Sequence, residues 1–349
     1  MKKYLLPDKG EFYKANLHCH TDMSDGAFSP EKIKQVYKEK GYAIVAYTDH
    51  DIFIPHNELT DDSFLALNGY EIEVTEGYEK VDSSIIFTKE FNCLKSCHMC
   101  LIAIEPENTR QICWHRNAYL FGNAVKYKNL VDFDDSKPDF VRKYTPECIS
   151  GIMKEGRDSG FFVTYNHPGW SLESYPDYSG FDGMHAMEIY NHGGYVCGYD
   201  DYSPHVYDDL LRQGKRIYCI AADDNHNHTP ADMPDCDAFG GFTMIKADRL
   251  EYSAVTAALL EGNFYASTGP EINALWVEDG KIHIECSPAS RIVISPGNRY
   301  IKTEYAIDSK GITSASFELD MDYGYVRITV TDFSGKNANT NAYFIDEIL

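Results

Sequence analysis

The sequence predicts an α/β protein in which buried parallel strands alternate with helices, followed by a smaller all-β region. Continuous apolar segments such as AIVAY (43–47) and FFVTY (161–165) alternate with capped helical segments, a pattern typical of parallel strands covered on both faces. At 349 residues the chain exceeds the usual size of a single core, so one large domain and one smaller domain are expected. The alternation fits a βα-barrel or a doubly wound sheet.

The helices are predicted from their capping residues. Ser29 is a favourable N-cap, Pro30 suits the first helical position, and Gly41 ends the helix before AIVAY. Thr145 and Pro146 begin a second helix in the same way. The four predicted helices span about 30–40, 146–160, 204–214 and 249–262.

The chain from about Leu275 onwards has a different pattern. Short alternating segments such as KIHIEC (281–286) and YVRITV (325–330) are separated by turns that contain glycine, which predicts a small antiparallel β-sandwich. The Gly269-Pro270 break suits a boundary, so we expect domains at 1–272 and 273–349. Residues 80–144 show few clean periods and are expected to form irregular loops over the mouth of the first domain.

The charge balance restricts the partners of the chain. It has 32 basic and 54 acidic residues and a net charge of -22, which argues against stable binding of nucleic acid or of an anionic membrane and makes cations natural ligands. No apolar run of signal-peptide length begins the chain, and no run of about 18 apolar residues occurs, so a cytoplasmic protein is expected. The sequence does not indicate an oligomeric state.

The ten cysteines offer one candidate site of their own. Cys93, Cys97, Cys100 and Cys113, with His98 among them, could form a thiolate zinc site. No second C-x-x-C motif accompanies them, so reduced and mostly buried cysteines are the favoured interpretation.

The segment Asn16–Gly26, NLHCHTDMSDG, is the first cluster of candidate metal ligands. His18 and His20 are separated by one residue, so on an extended strand both imidazoles leave the same face and can bind one cation. Asp25 follows in a tight turn. An isolated H-x-H is about as often a solvated pair, so the remaining candidates decide the interpretation.

These remaining candidates lie at predicted strands, mostly just beyond a carboxyl end, and comprise His50, Glu71, His98, His167, Asp224 and His226. The carboxyl ends of barrel strands form one rim, on which barrel enzymes assemble their active sites. We therefore expect side chains that are far apart in sequence to converge at one place.

In the order HCHTDMSDG, TDHD, NGYEIE, CHMC, NHPGW and ADDNH, these motifs resemble the PHP family, named for polymerase and histidinol phosphatase domains. The resemblance covers roughly Lys14 to Pro270. It implies a distorted seven-stranded (β/α) barrel similar to a TIM barrel, with up to three divalent metal ions that serve phosphoester hydrolysis. The first domain would be this barrel, and the sandwich would be an accessory domain.

The resemblance also implies a distribution of ligands. His18, His20 and Asp224 would bind one ion together with a bridging Glu71. Glu71 would also serve a second ion with His98 and His167, and the third ion would be held by Asp25, His50 and His226. Mixed imidazole and carboxylate ligands admit zinc, manganese or iron.

Four further residues are candidates for catalysis or substrate binding. Asp49 precedes His50 and could orient an imidazole or assist proton transfer, although a hydrogen-bonded turn aspartate is an equal alternative. Arg110 and Arg116 could hold a substrate phosphate, although surface arginines are usually only solvated. His192 could act as a general acid at the mouth of the barrel, or it could be structural.

The function predicted from these residues is hydrolysis of a phosphate ester of a small metabolite or nucleotide by a metal-activated hydroxide, since a bound divalent ion lowers the pKa of water from 15.7 to about 7. Two alternatives remain. The first is an amidohydrolase-type enzyme. Such enzymes commonly have a metal-bridging lysine at a strand end, and no lysine of this sequence lies at such a place. The second is a non-catalytic metal-binding scaffold, against which stands the complete ligand set.

Overall fold

The computed structural model describes residues 2–77 and 94–349. Its strands are β1 (Lys3–Tyr4), β2 (Glu11–Asn16), β3 (Ile44–Tyr47), β4 (Leu65–Thr75), β5 (Ser96–Ala103), β6 (Arg110–Gln111), β7 (Asp132–Phe133), β8 (Phe161–Tyr165), β9 (Ala186–Asn191), β10 (Tyr218–Ala222), β11 (Phe242–Ala247), β12 (Phe264–Ser267), β13 (Ile272–Glu278), β14 (Lys281–Ala289), β15 (Arg291–Pro296), β16 (Lys302–Tyr305), β17 (Ile312–Glu318), β18 (Tyr325–Thr331), β19 (Asn337–Thr340) and β20 (Tyr343–Phe344). Its helices are α1 (Pro30–Glu39), α2 (Ala124–Tyr127), α3 (Pro146–Asp158), α4 (Tyr175–Tyr178), α5 (His192–Val196), α6 (Pro204–Arg212), α7 (Tyr252–Glu261) and α8 (Ile345–Ile348).

The four predicted helices are confirmed as α1, α3, α6 and α7. The Ser29 side chain accepts a hydrogen bond from the Lys32 amide, and the Thr145 side chain accepts one from the Cys148 amide. Both are N-caps that satisfy amides at the start of a helix. In the described part of the chain, no helix combines the length and the apolar character needed to cross a membrane.

One large mixed sheet dominates the fold, in the order β10-β9-β8-β5-β4-β3-β2-β11-β12-β19-β18-β15-β16. Strands β2, β3 and β4 are parallel neighbours, and so are β8, β9 and β10. Strand β5 lies between these two groups and is antiparallel to both of its neighbours. The expectation of parallel strands throughout is therefore wrong at β5 and also at β11, which is antiparallel to β2 and β12. The reversal at β5 brings the start of this strand to the rim where its neighbours end.

A closed barrel is not seen in the described residues, because no ladder joins β10 to β2. The two strands approach each other just beyond their carboxyl ends, where Cys19 and Asn225 form a parallel bridge. The Asp224 amide donates to the His18 carbonyl at 3.0 Å, and the His20 amide donates to the Asn225 carbonyl at 3.1 Å. The fold is a mixed α/β structure whose sheet ends meet at this rim.

The C-terminal part of the chain forms antiparallel layers. Strands β1, β13, β14 and β17 make a separate four-stranded sheet. Its buried residues, such as Leu275 and Ile284, share one apolar cluster with Ile294 and Ile328 of the large sheet. The predicted β-sandwich is therefore supported in part, although the large sheet runs on into this region through the pairing of β12 with β19. The division between residues 272 and 273 stays a prediction.

Candidate metal centre

The nine candidate ligands converge at the rim where the sheet ends meet. Each ligand set below has one donor atom per residue, and its donor atoms all lie within 4.8 Å of one another. The sets are His20, Asp25, His50 and His226; His18, Glu71 and His167; His18, His20 and Asp224; and His50, Glu71 and His98. Residues from six strand regions thus form one continuous cluster of six imidazoles and three carboxylates.

Glu71 lies at the centre of this cluster. Its Oε1 atom is 3.2–3.4 Å from ring nitrogens of His18, His98 and His167. Its Oε2 atom is 3.1 Å from His50 Nδ1 and 3.5 Å from His20 Nε2. A carboxylate with both oxygens among imidazoles has the arrangement of a bridging ligand. Glu71 lies within strand β4, in which every residue is buried.

The buried donor atoms of the cluster are poorly satisfied by the protein itself. The buried atoms without a hydrogen-bond partner in the described chain include His20 Nδ1, His50 Nδ1, both ring nitrogens of His98, Glu71 Oε2 and Asp224 Oδ1. Leaving buried polar atoms unpaired costs about 1–3 kcal/mol each. Divalent cations would satisfy these atoms, and mixed imidazole and carboxylate donors suit zinc, manganese or iron. The residues present therefore fit metal ions.

The charges in the cluster are strongly coupled. Burial alone would raise the pKa values of Glu71 and Asp224, but the surrounding histidines hold both well below their usual range. Burial would likewise lower the pKa of His226, but Asp25 outweighs it and raises this pKa to about 10. The pKa of His167 is raised to about 9, since Glu71 and Asp224 outweigh burial. Without metal, these two histidines hold protons that a cation must displace.

Three residues outside the nine candidate ligands orient the ligands. Glu188 Oε1 is 2.8 Å from His18 Nδ1, and Glu188 Oε2 accepts from the His167 amide at 3.0 Å. Asn166 donates to Glu71 Oε1 at 2.8 Å, and Asn191 donates to Asp224 Oδ2 at 3.2 Å. Such partners fix the ring and carboxylate orientations of metal ligands. The one signal in the sequence is position, because Asn166 adjoins His167 and Glu188 lies on β9.

Asp49 has the contacts of a turn aspartate, the alternative that the sequence left open. Its Oδ1 atom accepts from the Thr21 amide at 2.8 Å and from the Ser24 hydroxyl at 2.6 Å. Its Oδ2 atom accepts from the Thr21 hydroxyl at 2.7 Å. These bonds hold the turn between His20 and Asp25. None of these contacts supports a catalytic role for Asp49.

The cavity over the cluster has a volume of about 390 Å³ and an aromatic rim. Phe121 packs on His50 with ring centroids 4.8 Å apart, and Trp170 packs edge-on against His98 and His167 at 5.0 and 5.2 Å. Among the described residues that line this cavity there is no lysine or arginine. An anionic ligand would therefore depend on bound cations for its attraction.

Three predicted catalytic residues are not among the described residues that line this cavity. The His192 ring lies 2.8 Å from the Tyr190 hydroxyl and packs against Gly240. Arg110 and Arg116 line a different cavity, because the segment that carries them pairs β6 with β7 away from the cluster. Neither arginine is among the described residues that line the cavity over the metal cluster, and a contact of either with a substrate phosphate stays a prediction.

A buried brace connects the segment after β5 to the turn that follows His50. Arg142, 1% exposed, donates through Nη1 to the Asp51 carboxylate and, at 2.7 Å, to the Glu73 carbonyl. Gln111 donates to the Asp51 carbonyl at 2.8 Å and accepts from the Phe53 amide at 2.8 Å. These contacts hold the turn against strand β4, which carries Glu71.

The thiolate alternative finds no support in the described part of the chain. Cys97, Cys100 and Cys113 are buried and free, and no ligand set there contains a cysteine. Burial raises the pKa of the Cys100 thiol to about 11. Cys93 lies outside the described residues.

Comparison with known proteins gives matches among solved structures only. No protein-family model and no curated protein matches the chain. The chain is similar to a two-domain protein from Bacteroides vulgatus that contains a predicted PHP-like metal-dependent phosphoesterase, at 15% identity and a TM-score of 0.45 over 98% of each chain. It is also similar to a protein from Bifidobacterium adolescentis provisionally named a metal-dependent phosphoesterase, at 15% identity and a TM-score of 0.34 over 65% of this chain and 91% of the other.

A third similar structure is an amidohydrolase from Chromobacterium violaceum with bound sulfate and no metal, at 18% identity and a TM-score of 0.36 over 64% of this chain and 93% of the other. The similar structures thus include a predicted PHP-like metal-dependent phosphoesterase and an amidohydrolase.

Proposed function

We propose that this chain is a metal-dependent phosphoesterase that hydrolyses a phosphate ester of a small metabolite or nucleotide. One observation carries the proposal: six imidazoles and three carboxylates converge, and several of their buried donor atoms have no hydrogen-bond partner in the described chain. A structural cluster would be expected to satisfy its own buried polar groups.

The proposed ligand sets follow the grouping of the donor atoms. One ion would lie between His18, His20 and Asp224, and another would lie among the set formed by His20, Asp25, His50 and His226. Glu71 would bridge, since it groups with His18 and His167 on one side and with His50 and His98 on the other. His50 would thus group with Glu71 and His98 as well as with Asp25 and His226, the two ligands that the resemblance assigns to the same ion.

When bound, the divalent ions would supply a nucleophile at neutral pH and compensate charge on phosphoryl oxygens. The chain's own groups set the charge of the site. Three ions would carry +6 and the carboxylates of Asp25, Glu71 and Asp224 would carry -3, which leaves a positive centre for a phosphate dianion. Glu188 would keep the His18 ring oriented, and Phe121 and Trp170 would exclude water beside the ligands.

The test is a screen of the purified, metal-loaded protein against phosphomonoesters, phosphodiesters and nucleotides. We expect release of phosphate or of a phosphomonoester from at least one class. His50→Ala and Asp224→Ala should abolish turnover, whereas His205→Ala should keep it, because His205 is exposed on α6. Hydrolysis of amides or lactones without hydrolysis of any phosphoester would favour the amidohydrolase alternative and contradict the proposal.

A further inference from the structure

A second cavity lies outside the metal centre. It has a volume of about 640 Å³, within the range of about 300–1,000 Å³ typical of small-molecule sites, and it exceeds the metal cavity of about 390 Å³. It lies between the β6–β7 pair, the segment 137–141 and the end of α3. Among the described residues, it shares no lining residue with the metal cavity.

The walls of this cavity offer aromatic surface. Trp114 and Phe133 are close, with ring centroids 5.9 Å apart, and Phe140 lies beside them. Trp114 is only 7% exposed and belongs to one apolar cluster with Leu120 and Val131. Rigid aromatic walls of this kind bind planar apolar groups at a low entropic cost.

The cationic side chains at the cavity differ in whether they have an ion-pair partner. Arg116 pairs with Asp139 at 2.6 Å and also lies over the Phe133 ring at 4.9 Å, and Lys137 pairs with Glu155 at 3.3 Å. These two cations are already compensated.

Arg110 differs from them. Its side chain is exposed and has no ion-pair or hydrogen-bond partner in residues 2–77 and 94–349. The nearby Asp134 accepts hydrogen bonds from Ser136 and does not reach ion-pair distance. The Arg110 guanidinium therefore remains available for a planar, charge-assisted contact with an anion.

We propose that this cavity is a second ligand site, which binds a small planar aromatic molecule carrying one anionic group. The ring would lie against Trp114, Phe133 and Phe140, and the anionic group would bind Arg110. The site is independent of the proposed hydrolysis, because its walls contain none of the nine candidate ligands.

The proposal is tested by calorimetric titration of the full-length protein with 1-naphthalenesulfonate, which joins a ring to an anion and contains no phosphoester. Methanesulfonate supplies the anion without the ring, and 1-naphthol supplies the ring without the charge. We expect one molecule of 1-naphthalenesulfonate to bind per chain, at least tenfold more tightly than either comparator. Failure to bind at millimolar concentration, or equal affinity for all three probes, would overturn the proposal.

Variants locate the binding. Arg110→Gln should weaken binding at least tenfold, because it removes the charged hydrogen-bond donor, and Arg110→Lys should restore part of the affinity. The matched control Arg299→Gln replaces an exposed arginine outside the cavity and should leave affinity unchanged. Binding that is kept in Arg110→Gln, or lost in the metal-centre variant His226→Ala, would contradict the assignment of the site.

Discussion

Replacing Arg142 by methionine removes the buried guanidinium that holds the turn after His50. Arg142 and Asp51 are each 1% exposed, and their ion pair joins this turn to the segment after β5, together with the hydrogen bonds of Gln111. Methionine keeps most of the apolar volume of the arginine stem. The substitution therefore tests the charge and the hydrogen bonds rather than the packing.

The expected loss follows from what the substitution leaves behind. Breaking a buried ion pair on one side costs about 3–5 kcal/mol, because the remaining charge is uncompensated. The Glu73 carbonyl also loses the bond from Arg142 Nη1 at 2.7 Å. The Asp51 carboxyl can limit the cost by taking up a proton, so the free energy of unfolding should fall by about 3 kcal/mol.

Urea denaturation followed by circular dichroism and by tryptophan fluorescence measures this loss where both probes give the same transition. Arg157→Met is the matched control, because Arg157 is exposed on α3, and its change should stay within about 0.5 kcal/mol. The metal affinity of Arg142→Met should also fall, since the turn adjoins His50. A decrease in the free energy of unfolding below about 1 kcal/mol, with unchanged metal affinity, would contradict the claim that Arg142 holds the turn after His50.

Three further predictions concern the metal centre and the tail. Apparent metal affinity should rise from pH 6 to pH 9, because His167 and His226, with pKa values of about 9 and about 10, must release protons when a cation binds. Calorimetry in buffers of different ionisation enthalpy measures this proton release. A metal affinity that stays constant over this pH range would contradict the prediction. Inorganic phosphate should inhibit hydrolysis competitively; inhibition by a hydroxamate but not by millimolar phosphate would favour an amidohydrolase. Truncation after Asn273 removes β19, which pairs with β12, so the stability of the protein should fall while metal binding persists. A truncated protein that is soluble and folded but binds no metal would contradict the domain division.

The sequence predicted the helices and the convergence of the candidate ligands well, because both depend on local signals. Caps such as Ser29 and Thr145 mark helix starts within a few residues. Polar residues at strand ends mark the rim. His98 is the exception, because its strand is antiparallel and the residue reaches the rim from the start of β5. Strand direction depends on chain connections that local periodicity does not report.

The contacts around the ligands could not be predicted in the same way. Glu188 and Asn191 contact the cluster through side-chain hydrogen bonds between residues that are distant in sequence. His18 and Glu188, for example, are 170 positions apart. Arg110 was a candidate for binding a substrate phosphate because of its charge, but its position depends on the pairing of β6 with β7. Charge indicates what a residue can bind, and only the fold determines where it lies.

The claim that this cluster is a metal centre is tested most directly by elemental analysis of the protein purified without chelator. The nine converging ligands predict two to three divalent ions per chain, since each ion needs several donors. Mass spectrometry of the dissolved metal against protein concentration gives this number. Two or three ions of zinc, manganese or iron would agree with the account, and less than one ion per chain would contradict it.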